Sequence, residues 1–74
     1  MHTRIIFCQY NPKSGRTTAI DENTRERTHV VEHRLGKFPQ HTLAANRMAR
    51  LEGLTNVRLV SMDSRKAMYE ADKE

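Results

Sequence analysis

From Phe38 to Met62, apolar and polar positions follow first a helical and then a strand pattern. With successive side chains about 100° apart, Leu51, Ala44, Met48, Ala45 and Ala49 fill one arc of a helix. Asn46, Arg47 and Arg50 take the opposite face. Pro39 suits the first helical position, where a missing N–H is harmless. Gly53 suits a left-handed C-terminal stop, with Leu54 folding back on Met48 or Ala49. Val57 to Met62 then supplies a short β-branched strand.

Upstream, Arg4 to Tyr10 reads as a strand whose two faces, Ile5-Phe7-Gln9 and Ile6-Cys8-Tyr10, are both mainly apolar. Such a strand belongs in the middle of a sheet. Asn11-Pro12-Lys13-Ser14-Gly15 is a strong turn. Arg16 to Asp21 and Thr28 to Leu35 read as two further strands, joined through the charged segment from Glu22 to Glu26. A helix starting near Thr18 is the alternative for residues 16–35, with Asp21 and Arg25 as a helical pair. It leaves Val30 and Val31 without an upstream apolar stripe. After Met62, Asp63 or Ser64 can cap a last helix with Ala67, Met68 and Ala71 on a narrow stripe. Its acidic end opposes the helix dipole, so residues 69–74 are expected to fray. The expected architecture is α+β, in β-β-β-α-β-α order, with the helices on one face of an antiparallel or mixed sheet.

The length, 74 residues, fits one compact domain spanning residues 1–74. The hydrophobic fraction is 36% with no Trp, a thin core that makes a homodimer or larger partner reasonable. The single cysteine, Cys8, forms no internal disulfide, which points to a reducing, cytoplasmic setting. The apolar run Ile5 to Cys8 is too short for a signal peptide or a bilayer span.

Charge changes the picture most. There are 13 Lys and Arg against 9 Asp and Glu, and nine of the 13 are Arg. Arginine's planar fork matches phosphate and carboxylate geometry, so the partner expected is nucleic acid or an acidic protein surface. The candidate binding residues are Asn46, Arg47 and Arg50 on the helix, with Lys13, Arg16, Arg25 and Arg27 around the first hairpin.

Enzymatic and metal chemistry find less support. Cys8 sits in the most apolar strand, the usual place of an unreactive thiol, with no base or orienting group near it in sequence. His29 and His33 would share a face on a helix, but on a strand they stand about 13 Å apart, too far for one ion. Cys8, His2 and His41 could be distant ligands, yet no paired-cysteine spacing supports them. Pro12-Lys13-Ser14-Gly15-Arg16 lacks the spacing of a phosphate-cradling loop and reads as a basic hairpin turn. Neither a metal nor a cofactor is expected, and a small metal-binding protein is the weakest alternative.

In its strand meander and alanine-rich helix the chain resembles many small phage-encoded proteins, including some inhibitors of bacterial CRISPR complexes. That likeness is architectural and transfers no residue. The expected function is therefore a non-enzymatic module engaging nucleic acid or a nucleoprotein complex. An inhibitor or adaptor that docks on a host protein is the rival.

Overall fold

In the computed structural model, residues 2–22, 31–34 and 38–74 are described, with residues 31–34 described for their backbone alone. The element order is β1 (His2–Asn11), β2 (Arg16–Asp21), β3 (Val31–Arg34), α1 (His41–Glu52), β4 (Thr55–Met62) and β5 (Lys66–Lys73). The five strands form one antiparallel sheet in the order β3-β2-β1-β5-β4. The fold is α+β, with α1 packed on one face of the sheet. No helix among the described residues is long and apolar enough to cross a membrane.

β1 occupies the centre, as its apolar pattern requires. Its even positions, Ile6, Cys8 and Tyr10, are buried. Through the register they share the helix-covered face with Tyr69 and Ala67 of β5 and with Asp21, Ala19 and Thr17 of β2. The odd positions lie on the face that α1 does not cover, so the apolar character of both faces of β1 goes with its central place and not with cover on both sides. The turn between β1 and β2 forms as its residues predict. Asn11 Oδ1 accepts the N–H of Lys13 at 2.9 Å, and Gly15 adopts φ +72°, a conformation most side chains avoid.

α1 begins at His41 rather than Pro39, with Gln40 as N-cap. Pro39 and Gln40 lead in, and the Gln40 N–H donates to Thr17 Oγ1 at 2.9 Å, tying the helix start to β2. The buried face is His41, Ala44, Ala45, Met48 and Ala49. Leu51 is 61% exposed and does not belong to the core. It lies at the margin of the predicted arc, in the last turn of the helix, whereas His41 lies near the middle of that arc and is buried with it. The stop is as expected: Gly53 adopts φ +68°, its N–H donates to the Arg50 carbonyl at 3.3 Å, and the Leu54 N–H donates to Ala49 at 2.8 Å. Those are the two bonds of a Schellman motif, and they bury Leu54.

The last element corrects the sequence reading. Lys66–Lys73 is a strand, so the order is β-β-β-α-β-β and the final helix does not form. Ala67, Tyr69 and Ala71 alternate into the core with period two, although Ala67, Met68 and Ala71 also pass for a helical stripe. The gap between β1 and β4 decides the matter, because only a strand satisfies the backbone groups of both neighbours. Residues 69–73, expected at a fraying end, thus belong to a strand paired on both sides. Asp63 still caps, but caps a turn: its Oδ1 accepts the N–H groups of Arg65 at 2.8 Å and Lys66 at 2.7 Å. Strand β4 is an edge, interrupted by irregularities between Thr55 and Arg58 and between Leu59 and Ser61.

Candidate nucleic-acid interface

The register brings two turns to the same end of the sheet. β1 and β2 are joined there through residues 12–15, and β4 and β5 through residues 63–65. The Tyr10 N–H donates to the Arg65 carbonyl at 2.7 Å and locks one turn against the other. Between them runs an open groove lined by Tyr10, Asn11, Ser14, Arg16, Arg65 and Lys66, among others. Lys13 stands exposed in the same turn. Arg34 of β3 pairs in register with Arg16 at this end, and Glu32 with Thr18 one row inward.

The opposite end of the sheet has the reverse character. Asp21, Glu22, Glu70 and Asp72 gather there, where Arg4 and Arg58 are engaged by carboxylates and Lys73 donates to the Glu52 carbonyl at 2.7 Å. Arg4 meets the buried Asp21 at 3.1 Å. Arg58 meets Asp72 at 3.0 Å and Glu70 at 3.7 Å. Hydrogen bonds from Arg58, then Asn56, hold the Asp72 carboxyl below its ordinary value. Among the described residues no salt bridge holds Lys13, Arg65 or Lys66. At the basic end, Asp63 is kept ionised by the backbone N–H groups of Arg65 and Lys66. Lys13, Arg65 and Lys66 thus gather where the two turns meet, while Arg47 and Arg50, likewise exposed and in no salt bridge among the described residues, stand apart on α1.

The helix residues singled out in the sequence occupy a different place. Asn46, Arg47 and Arg50 are exposed, as expected, but Asn46 and Arg50 border a shallow depression with Thr55, Asn56 and Val57. They do not join Lys13 and Arg16. Arg25 and Arg27 lie outside the described residues. Arg65 and Lys66 were missed, because their turn was assigned to the start of a helix. An Asp-Ser-Arg-Lys segment between two apolar runs is itself a turn signal, and would have found them.

Cys8, His41 and Tyr69 lie on the helix-covered side. Burial pushes the Cys8 thiol up to about 12, and its Sγ approaches the His41 carbonyl at 3.5 Å. Such a thiol is a packing group at neutral pH. The His41 ring is buried with neither nitrogen hydrogen-bonded among the described residues, and burial lowers its pKa against the pull of Asp63. Tyr69 hydroxyl meets Thr42 Oγ1 at 2.9 Å. Among the described residues, no three His, Cys, Asp or Glu side chains converge to hold a metal ion. His29 lies outside those residues, and His33 is described only as part of the β3 backbone.

Comparison with known family models, curated proteins and solved structures finds no match to this chain.

Proposed function

We propose that the protein is a non-enzymatic binding module that grips the phosphate backbone of nucleic acid, alone or within a nucleoprotein complex, with the basic end of its sheet. One observation carries this reading. Arg65, Lys66 and Arg16 line a single groove with the exposed Lys13 in the adjoining turn, and no carboxylate forms a salt bridge with Lys13, Arg65 or Lys66 among the described residues. Two arginines and two lysines there are suited to phosphate oxygens: the arginines as forks, the lysines as mobile point charges. Contacts of this type read no sequence, so binding is sequence-tolerant and weakens steeply with salt.

The test is capture of partners from lysate with and without nuclease, followed by anisotropy titration against labelled oligonucleotides. Nuclease-sensitive capture and a log–log salt slope of about −2 to −3, for three to four single-strand phosphate contacts, support the reading. Absence of binding to any DNA or RNA at low salt overturns it. Nuclease-resistant capture of an acidic protein would transfer the basic groove to the rival function, a docking inhibitor or adaptor.

A further inference from the structure

Among the described residues only α1 packs on the sheet, and the face it leaves open carries an ordered sequence of rows. Nearest the basic end stand Asn11 and Arg16, then Gln9 with Thr18 and Lys66. The next row is apolar: Phe7 pairs with Ile20 on one side and Met68 on the other. Phe7 is 38% and Ile20 44% exposed, although they sit at the middle of the sheet. Beyond them come Ile5 with Glu70, then Thr3 with Asp72. An aromatic ring thus lies between a cationic end and an acidic one. A depression beside it is lined by Phe7, Ser61, Met62, Asp63, Lys66 and Met68, among others. Lys66 borders both this depression and the basic groove.

We propose that the nucleic acid held at the basic end is single-stranded, with its phosphates in the groove and a base laid on Phe7. This rests on the reading of the groove as a phosphate site and names the form of its ligand. Lys66 is the diagonal neighbour of Phe7, about 7–8 Å away between Cα atoms, so one nucleotide spans the cation and the ring. In a duplex the base faces are stacked on each other and offer nothing to an aromatic ring on a sheet. In a single strand each unpaired base has a free face, and stacking on an aromatic side chain tolerates any sequence. Glu70 and Asp72 limit the footprint, since a backbone continuing past Ile5 meets their carboxylates. The footprint is consequently short, one or two bases on the sheet and the following phosphates in the groove. A second copy of the chain, turned end for end, would set the basic rows against the acidic ones and is the competing occupant of this face, which the oligomeric state tests.

The experiment uses the whole chain and an oligothymidylate of about ten nucleotides, free or annealed to its complement. Phe7→Trp introduces the chain's sole tryptophan. The free strand is expected to quench its fluorescence and the duplex to leave it unchanged. Phe7→Ala should weaken single-strand binding roughly 5- to 100-fold, and Phe7→Tyr should restore it. Circular dichroism confirms that each variant is folded, and light scattering reports its oligomeric state. Equal or tighter binding of the duplex, or single-strand binding unchanged in Phe7→Ala, overturns this inference while leaving the phosphate groove standing. Conversion of a wild-type dimer to a monomer by Phe7→Ala overturns it too, by assigning the apolar row to self-association. Loss of all binding in the Arg65→Glu/Lys66→Glu variant, with Phe7 intact, separates the two claims.

Discussion

Replacing Met48 with alanine tests where the helix sits. Met48 is fully buried on the inner face of α1, and Leu51, three residues on, is 61% exposed. The substitution deletes three heavy atoms beyond Cβ, which is worth about 2 kcal/mol in transfer from water. A cavity cost adds to this, and here it should be large. The core cluster around Met48 contains six alanines, Ala19, Ala44, Ala45, Ala49, Ala67 and Ala71, which have no rotamers with which to fill a hole. The total is about 3–4 kcal/mol. A chain of 74 residues is expected to have only about 4–11 kcal/mol of stability, so the variant should be largely unfolded in mild urea. Leu51→Ala, on the other hand, should cost under about 1 kcal/mol. Urea unfolding followed by far-ultraviolet circular dichroism measures both, and a shared m-value shows that the midpoints report stability. If Leu51→Ala proved as damaging as Met48→Ala, the placement of Leu51 outside the core would be refuted.

Three further outcomes follow from single contacts. Gly53→Ala should cost about 1–2 kcal/mol from backbone strain alone, because φ is +68° and no atom lies within 4 Å of an added Cβ; Gly53→Asn should cost less, and thermal denaturation ranks the two. Arg4→Met removes a salt-bridge partner from the buried Asp21 carboxylate and should cost about 3 kcal/mol in the same urea assay. Asp63 titrates below its ordinary 3.8, so the stability it contributes is present above that value and is lost as pH falls through its lower folded value. The difference in melting temperature between wild type and Asp63→Asn should accordingly persist at neutral pH and shrink below about pH 3.8; a constant difference down to pH 2 would contradict the turn assignment.

What the sequence disclosed follows the range of each interaction. The Schellman stop at Gly53, the Asn11 turn and the central place of β1 are set by neighbouring residues, and each is legible. The last strand is not, because Ala67, Met68 and Ala71 fit a helical stripe as well as Ala67, Tyr69 and Ala71 fit a strand. Its state is decided by β1 and β4, whose backbone groups need a partner between them. Leu51 misleads for a related reason: periodicity defines an arc, and only the sheet decides which edge of it is covered. The candidate site is a product of the same long-range pairing. Lys13 and Arg16 are visible as a basic hairpin, but Arg65 and Lys66 join them only because Tyr10 bonds to the backbone of Arg65. Phe7 was hidden among apolar neighbours until one face of β1 proved open.

The central claim is that the meeting of the two turns, and not the outer face of α1, is the nucleic-acid surface. It is tested by anisotropy of a labelled single strand at low salt against two double charge reversals of equal magnitude. Both variants alter exposed side chains and should remain folded. Arg65→Glu/Lys66→Glu is predicted to abolish binding, and Arg47→Glu/Arg50→Glu to weaken it only through the change in net charge. Loss of binding on the helix variant, with binding retained by the turn variant, would contradict the account.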